Sequence, residues 1–245
     1  TATIAVDALG SDNVVGVALP SKYNTEESLV DARLLAENLD IEFKVIEIEE
    51  IVNIFRNTLK ESVNDELGQI TDENIQSRVR GNILMALSNQ TGAMVVSTGN
   101  KSEMAVGYST LYGDLAGGFA LLKDLYKTEV YNLANFRNSI SSVIPQNTID
   151  KEPSAELRPD QFDKDSLPEY ELLDEILRMY IEEDSSSEKI ISTGIDENIV
   201  YDVLSKVDRN EYKRKQVAPG VKLTEKAFGK DRRMPITNTY IRERG

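Results

Sequence analysis

Short unbroken apolar runs and longer stretches of helical periodicity alternate along the first half of this 245-residue chain. Thr1–Leu9 (TATIAVDAL) reads as a helix stopped by Gly10, a residue suited to the position just past a helix end. Val14–Leu19 follows, closed by Pro20, and an apolar run without alternation predicts a strand buried on both faces of a parallel sheet. Asn24 with Glu27 three residues on predicts a capped helix through Leu39. A second strand, Phe43–Ile48, precedes helical stretches at about 50–61 and 72–90, and a third, Ala93–Ser97, runs into Thr98-Gly99-Asn100. Strand and helix alternating at this spacing predict an α/β fold with a doubly wound parallel sheet. A leading helix in such a sheet crosses over from an earlier strand, so the expectation is that a first strand ahead of Thr1 is missing from the sequence.

The second half changes character. Residues 119–136 supply one more short strand and a helix, Thr128–Phe136. Pro145–Pro168 is a polar loop with four prolines, long enough to suggest a binding loop. Glu169–Glu182 is amphipathic, with Leu172, Leu173, Ile176, Leu177 and Tyr180 on one face. Asp184–Ser187 breaks the pattern, Glu197–Lys206 and Asn210–Gln216 read as further helices, and Val217–Gly245 reads as extended and irregular.

Composition narrows the chemistry. The chain has no cysteine, histidine or tryptophan, which excludes disulfides, Cys/His metal sites and His-based nucleophile pairs. Carboxylates, Lys/Arg, hydroxyls, backbone amides and a hard metal ion are what remain. No apolar run approaches the roughly 18–20 residues that span a bilayer, so no membrane partner is expected, and the lack of cysteine is compatible with a cytoplasmic location. The net charge is −14, from 28 Lys/Arg against 42 Asp/Glu. Residues 205–245 run the other way, with 12 Lys/Arg and 5 Asp/Glu, a net of +7 that leaves −21 on residues 1–204. No interleaving of aromatic and basic residues accompanies that segment, so small-nucleotide phosphates are a better expected partner than nucleic acid, with a solvated tail as the alternative.

Several segments can carry that chemistry. In Val95–Glu103, a loop beyond the carboxyl end of a strand, Thr98 can hydrogen-bond a base or phosphate and Glu103 can serve Mg²⁺. The same residues also fit a plain capped helix, Asn100 with Glu103. Gly107–Gly118 holds four glycines and two tyrosines, a loop able to wrap a flat ring on Tyr108 or to pack its aromatics under a turn. Asn74 and Arg78 are helical i, i+4 neighbours; Arg78 suits a phosphate or carboxylate, or a surface pair with Glu73. Lys127 opens a helix, where the dipole disfavours a cation, which hints at an anion nearby. Ser154 and Lys213 lie in polar segments that are uninformative alone.

Taken in order, TGNKSE-x6-TLYGD, DLYKTEVY, KEPSAELRPDQ, DSLPEYELLDEIL, DRNEYKRKQ and FGKDRRMPIT resemble the synthetase domain of NAD⁺ synthetases, most closely the glutamine-dependent branch. LPSKYNTEESLVDA and NIQSRVRGNILMALSN are similar as well, so the resemblance covers essentially the whole of residues 1–245. It implies a Rossmann-like fold of the N-type ATP pyrophosphatase group (adenine nucleotide α-hydrolase-like) and a homodimer. The implied reaction joins deamido-NAD, ATP and ammonia into NAD⁺, AMP and pyrophosphate through an acyl-adenylate. Mg²⁺ is the implied cofactor and ATP the co-substrate. The alternatives are an N-type ATP pyrophosphatase acting on another acceptor, and a non-catalytic nucleotide-binding or dimerisation module.

By the same resemblance Thr98, Lys127 and Ser154 would hold ATP, and Glu103 would bind Mg²⁺ or approach the substrate. Asn74, Arg78, Glu103, Tyr108, Ser109, Thr110, Leu111 and Lys213 would hold deamido-NAD, with Arg80 a lesser candidate. Residues 145–168 would form an active-site loop and 205–245 a basic C-terminal segment. Leu111 and Gly118 stand where the ammonia-only branch often has lysine and aspartate, which leans toward glutamine as the nitrogen source. The family's SGG-x-D-S phosphate loop belongs before Thr1 and its glutaminase domain further upstream, and both are absent from the sequence as given.

Overall fold

The structure, a computed structural model, describes residues 1–63 and 65–237. In chain order it forms α1 (Ala2–Leu9), β1 (Val15–Ala18), α2 (Glu26–Asn38), β2 (Glu42–Val45), α3 (Glu49–Val63), α4 (Gln69–Thr91), β3 (Val96–Ser97) and α5 (Lys101–Val106). Then come β4 (Phe119–Ala120), α6 (Lys127–Ile140), α7 (Gln146–Asp150), α8 (Tyr170–Ile181), α9 (Ser187–Ile191), α10 (Glu197–Arg209) and α11 (Glu211–Arg214). The chain divides into two units, residues 1–84 with 131–166, and residues 85–130 with the described residues from 167 onward.

In the first unit β1 and β2 pair in parallel, Val15 opposite Glu42 and Ala18 opposite Val45. Gly10 ends α1 with φ 84° and donates its N–H to Val6 O at 2.8 Å. Two expectations are corrected here. The apolar run of β1 is only half-buried and Val15 is exposed, because β2 is its one strand neighbour among the described residues. The cap of α2 is Thr25, whose Oγ1 accepts the Ser28 N–H at 3.3 Å. Asn24 is occupied elsewhere: its Oδ1 accepts from Ser21 N–H (2.8 Å) and Arg80 (3.0 Å), and its Nδ2 donates to Glu156 (2.8 Å). Ile48 and Val52 pack on Ile75 and Val79 of α4, and Arg56 of α3 grips Asp72 of α4 through two hydrogen bonds of 2.5 and 2.9 Å. The 145–168 stretch is less irregular than its prolines suggest, since it contains α7 and a 3₁₀ turn at Asp163–Asp165.

In the second unit β3 and β4 pair in parallel, Val96 opposite Phe119. The main core is built from Leu173, Ile176, Leu177 and Ile181 of α8 and Val200, Val203, Leu204 and Val207 of α10, closed by Ala105 and Val106 of α5. The periodicity of 169–182 is thus the signature of that core, the helix expected at 197–206 supplies its other side, and α9 starts at Ser187, where the expected break ends. Residues 217–237 form no helix and one isolated bridge, Phe228 with Arg232, and 238–245 of the basic segment lie outside the described residues. Gly107 ends α5 with φ 72°, and a Cβ there would lie 2.1 Å from Asn210 Cγ, whose amide donates to Val106 O at 2.9 Å. Gly107→Ala therefore combines left-handed strain with a clash and is expected to cost about 2–3 kcal/mol in urea unfolding. A loss below about 0.5 kcal/mol would show that this helix end re-forms freely.

Candidate active site

Thr98 stands exposed immediately after β3, the strand end where open α/β sheets take their ligands. Gly99 follows, where a Cβ would press to 3.2 Å from Met104 Cε. Asn100 Oδ1 then accepts the Glu103 N–H at 3.0 Å, and Glu103 Oε2 accepts the Asn100 N–H at 3.2 Å, a reciprocal capping box for α5. Glu103 is therefore the cap that the sequence allowed, and only one of its oxygens is used in that role. Its other oxygen, Oε1, accepts from Lys127 Nζ at 3.2 Å, and both side chains are about one-fifth exposed, at 20% and 19%. Lys127 Nζ also lies 5.1 Å over the Tyr170 ring.

Lys127 does open α6, against the helix dipole, and the chain's own carboxylates answer the mismatch. Tyr126 N–H donates to Glu129 at 2.8 Å and Thr128 N–H donates to Asp174 Oδ2 at 2.9 Å. The Lys127 N–H donates to Ser102 Oγ at 2.9 Å, and Ser102 donates to Asp174 Oδ1 at 2.5 Å. Burial pushes the Asp174 carboxyl above its ordinary value, against the pull of the bonds from Ser102 and Thr128.

Lys213 of α11 holds the 107–111 loop. Its Nζ donates to Gly107 O (2.6 Å) and Ser109 O (2.8 Å), and burial lowers its pKa, opposed by the charge of Asp114. Thr110 N–H donates to Asp114 Oδ1 at 2.7 Å, Thr110 is buried, and Tyr108 packs partly against the main core. Leu111 is half-buried and packs beside Met104 and Leu115. Ser109 carries a buried hydroxyl with no hydrogen-bond partner among the described residues.

In the first unit Asn74 is half-buried and Arg78 exposed, both on α4, and Glu73 pairs with Arg158 at 3.4 Å. Arg80 binds the chain itself, donating to Leu19 O (2.9 Å) and Asn24 Oδ1 (3.0 Å). Ser154 organises its own loop: Oγ donates to Gln161 O at 2.5 Å and accepts the Glu156 N–H at 3.1 Å. Glu156 in turn accepts from Ser28 (2.6 Å) and Lys151 (2.8 Å).

A cleft of about 420 Å³ in the second unit is lined by Lys123, Arg214, Lys215, Lys222, Lys230 and Arg233 over an apolar floor that includes Phe228. Most of these cations are already engaged. Lys123 donates to Ala218 O (2.8 Å), Arg214 donates to Ala105 O (2.7 Å), and Lys222 pairs with Asp231 (2.8 Å). The described part of the basic segment thus spends much of its charge inside the unit.

A sequence profile of the NAD synthase family matches residues 1–217. This chain belongs to the NAD synthase family. The glutamine-dependent NAD(+) synthetase of Aquifex aeolicus is 53% identical over 241 residues, covering 98% of this chain and 42% of that protein. The glutamine-dependent NAD⁺ synthetase of Acinetobacter baumannii, solved in complex with ADP, is 46% identical with a TM-score of 0.61, over 97% of this chain and 43% of that one. The NMN synthetase of Francisella tularensis is 27% identical with a TM-score of 0.72, over 91% and 82%. The chain accordingly spans about two-fifths of the length of the glutamine-dependent relatives.

The Rossmann-like α/β fold expected of an NAD synthase is the one found. In this NAD synthase chain the second unit brings Glu103 onto Lys127 and Lys213 onto the 107–109 backbone, while Asn74, Arg78 and Ser154 belong to the first. No three carboxylates converge to hold a metal among the described residues, and no described helix is long and apolar enough to cross a membrane. Sequence reasoning missed Lys101, Ser102 and Asp174, whose partners lie far off in the chain and leave no local spacing signal.

Proposed function

We propose that the full-length protein amidates deamido-NAD to NAD⁺ at the expense of ATP. The observation that carries this reading is the Glu103–Lys127 pair beside Thr98 at the end of β3, in a chain of the NAD synthase family. A carboxylate resists attack by ammonia, so it must first acquire a leaving group. A nicotinate oxygen attacks the α-phosphorus of ATP and pyrophosphate leaves. Ammonia then attacks the acyl carbon, AMP departs with that oxygen, and the nitrogen loses a proton.

Lys127 and Ser154 serve the ATP phosphates in this account and Thr98 the nucleotide. Asn74, Arg78, the Tyr108–Leu111 loop and Lys213 hold deamido-NAD, with residues 145–168 as the active-site loop and 205–245 as a basic segment of one synthetase domain. Lys213 acts by fixing the backbone of that loop as well as by its charge. Glu103 offers a single hard oxygen donor, which fits an Mg²⁺ held mainly by phosphate oxygens and water. When bound, that ion neutralises phosphate charge. Ammonia would come from glutamine through a glutaminase domain, or from free ammonium; a homodimer in the cytoplasm completes the proposal.

The test is NAD⁺ formation by the full-length protein from deamido-NAD, ATP and Mg²⁺, with glutamine and ammonium in separate reactions. NAD⁺ from either nitrogen source supports the reading. NMN formation without NAD⁺ in a parallel assay, or neither product, overturns it.

A further inference from the structure

Behind the Glu103–Lys127 pair lie two buried polar side chains: Ser102 is 0% and Asp174 2% exposed. They join three helices at one point. Ser102, in α5, is the immediate neighbour of Glu103; its hydroxyl donates to Asp174 Oδ1 of α8 at 2.5 Å and accepts the backbone N–H of Lys127 at 2.9 Å. The second Asp174 oxygen accepts the Thr128 N–H at 2.9 Å. No carboxylate–cation contact of salt-bridge length is made by Asp174 among the described residues; its charge is supported by these bonds, by the Thr128 side chain, by the nearby charge of Arg178 and by the start of α6. An apolar side chain would be an easier occupant of such a place. A carboxylate offers direction instead, two acceptors that fix the start of α6 against the start of α5.

We infer that Asp174, acting through Ser102, is a positioning residue that sets the Lys127 ammonium and the Glu103 carboxylate for ATP. The inference rests on the amidation reading above and adds to it the group that orders the pair. Asp174→Asn keeps size and shape, yet with its amide oxygen on the Thr128 N–H its Nδ2 faces Ser102, whose hydroxyl must reverse from donor to acceptor and leave its own proton without this acceptor. The neutral side chain also removes the charge that strengthens both bonds, and the two helix starts shift. A displacement of about 1 Å at reacting groups costs on the order of a hundredfold in rate. In the full-length protein Asp174→Asn is therefore expected to lower kcat/KM for ATP by about ten- to a hundredfold and to weaken ATP binding about tenfold by calorimetry. KM for ammonium should stay within about twofold, and the variant should still unfold in a single cooperative transition.

Ser102→Ala should reproduce the defect, and the double variant should be no worse than either single one, because both remove the same tie. Additive losses, or unchanged kcat/KM and ATP affinity in both single variants, would overturn the positioning role. If the wild-type protein forms no NAD⁺ but Asp174→Asn still weakens ATP binding tenfold, only the amidation reading falls. If ATP affinity is then unchanged too, both fall.

Discussion

Glu103→Gln in the full-length protein lowers kcat for NAD⁺ formation by about a hundredfold or more while the unfolding midpoint moves by less than about 2 °C. The two halves of this expectation come from the two oxygens of one carboxylate. Oε2 accepts the Asn100 N–H, and a glutamine amide oxygen at that capping-box position does the same, so α5 keeps its start. Oε1 faces Lys127, and there the charge is lost. The ammonium of Lys127 loses its partner, and the site loses its hard oxygen donor for an ion on the ATP phosphates. Unchanged kcat in a folded variant would remove Glu103 from the site and leave it a cap. A collapse of the unfolding midpoint would mean the cap is its main work.

The second large effect is on stability. Lys101 is fully buried in the first turn of α5, with Nζ 2.9 Å from Glu182, 3.1 Å from Asp124, 2.5 Å from Thr224 Oγ1 and 3.0 Å from Lys226 O. Asp124 also accepts the N–H groups of Leu223 and Thr224 at 2.7 Å each. The stretch around 222–226 is held to the unit by this buried cation and its carboxylates, with Lys226 also pairing with Asp184. Lys101→Met retains the volume and strands Asp124 with a buried charge. Breaking a buried pair in this way costs about 3–5 kcal/mol, which urea unfolding should show as a lower midpoint with an unchanged slope. A loss under about 1 kcal/mol would mean that water replaces the ammonium. Burial raises the Asp124 pKa, but the Thr224 and Leu223 bonds and the Lys101 charge outweigh it, and the carboxyl sits below its ordinary value. Its contribution to stability is therefore complete above the usual aspartate range and is lost as pH falls through the depressed value.

What the sequence made legible was local. The Asn100–Glu103 cap is a three-residue spacing, the face of α8 follows helical period, and Gly10 ends α1 by its own backbone freedom. What stayed hidden depended on distant partners. Asn24 looked like the cap of α2, but Arg80 and Glu156 claim its side chain, more than fifty residues away in each case. Lys127 looked like a cation waiting for a ligand, while Asp174, Glu129 and Glu103 were supplying the negative charge. Ser154 and Lys213 lay in segments that read as solvated, yet Ser154 ties down its own loop and Lys213 holds the distant 107–109 backbone. The family resemblance pointed to them; the structure adds that they shape the backbone they sit beside.

The central claim is that a carboxylate is activated by adenylation and then amidated. Its most direct test follows the carboxylate oxygen, using deamido-NAD carrying heavy oxygen in the nicotinate carboxylate, ATP, Mg²⁺, ammonium and the full-length protein. The account predicts NAD⁺, AMP and pyrophosphate in equal amounts, with one labelled oxygen carried into the phosphate of AMP. Label in pyrophosphate or inorganic phosphate, or NAD⁺ formed with no label in AMP, would contradict it.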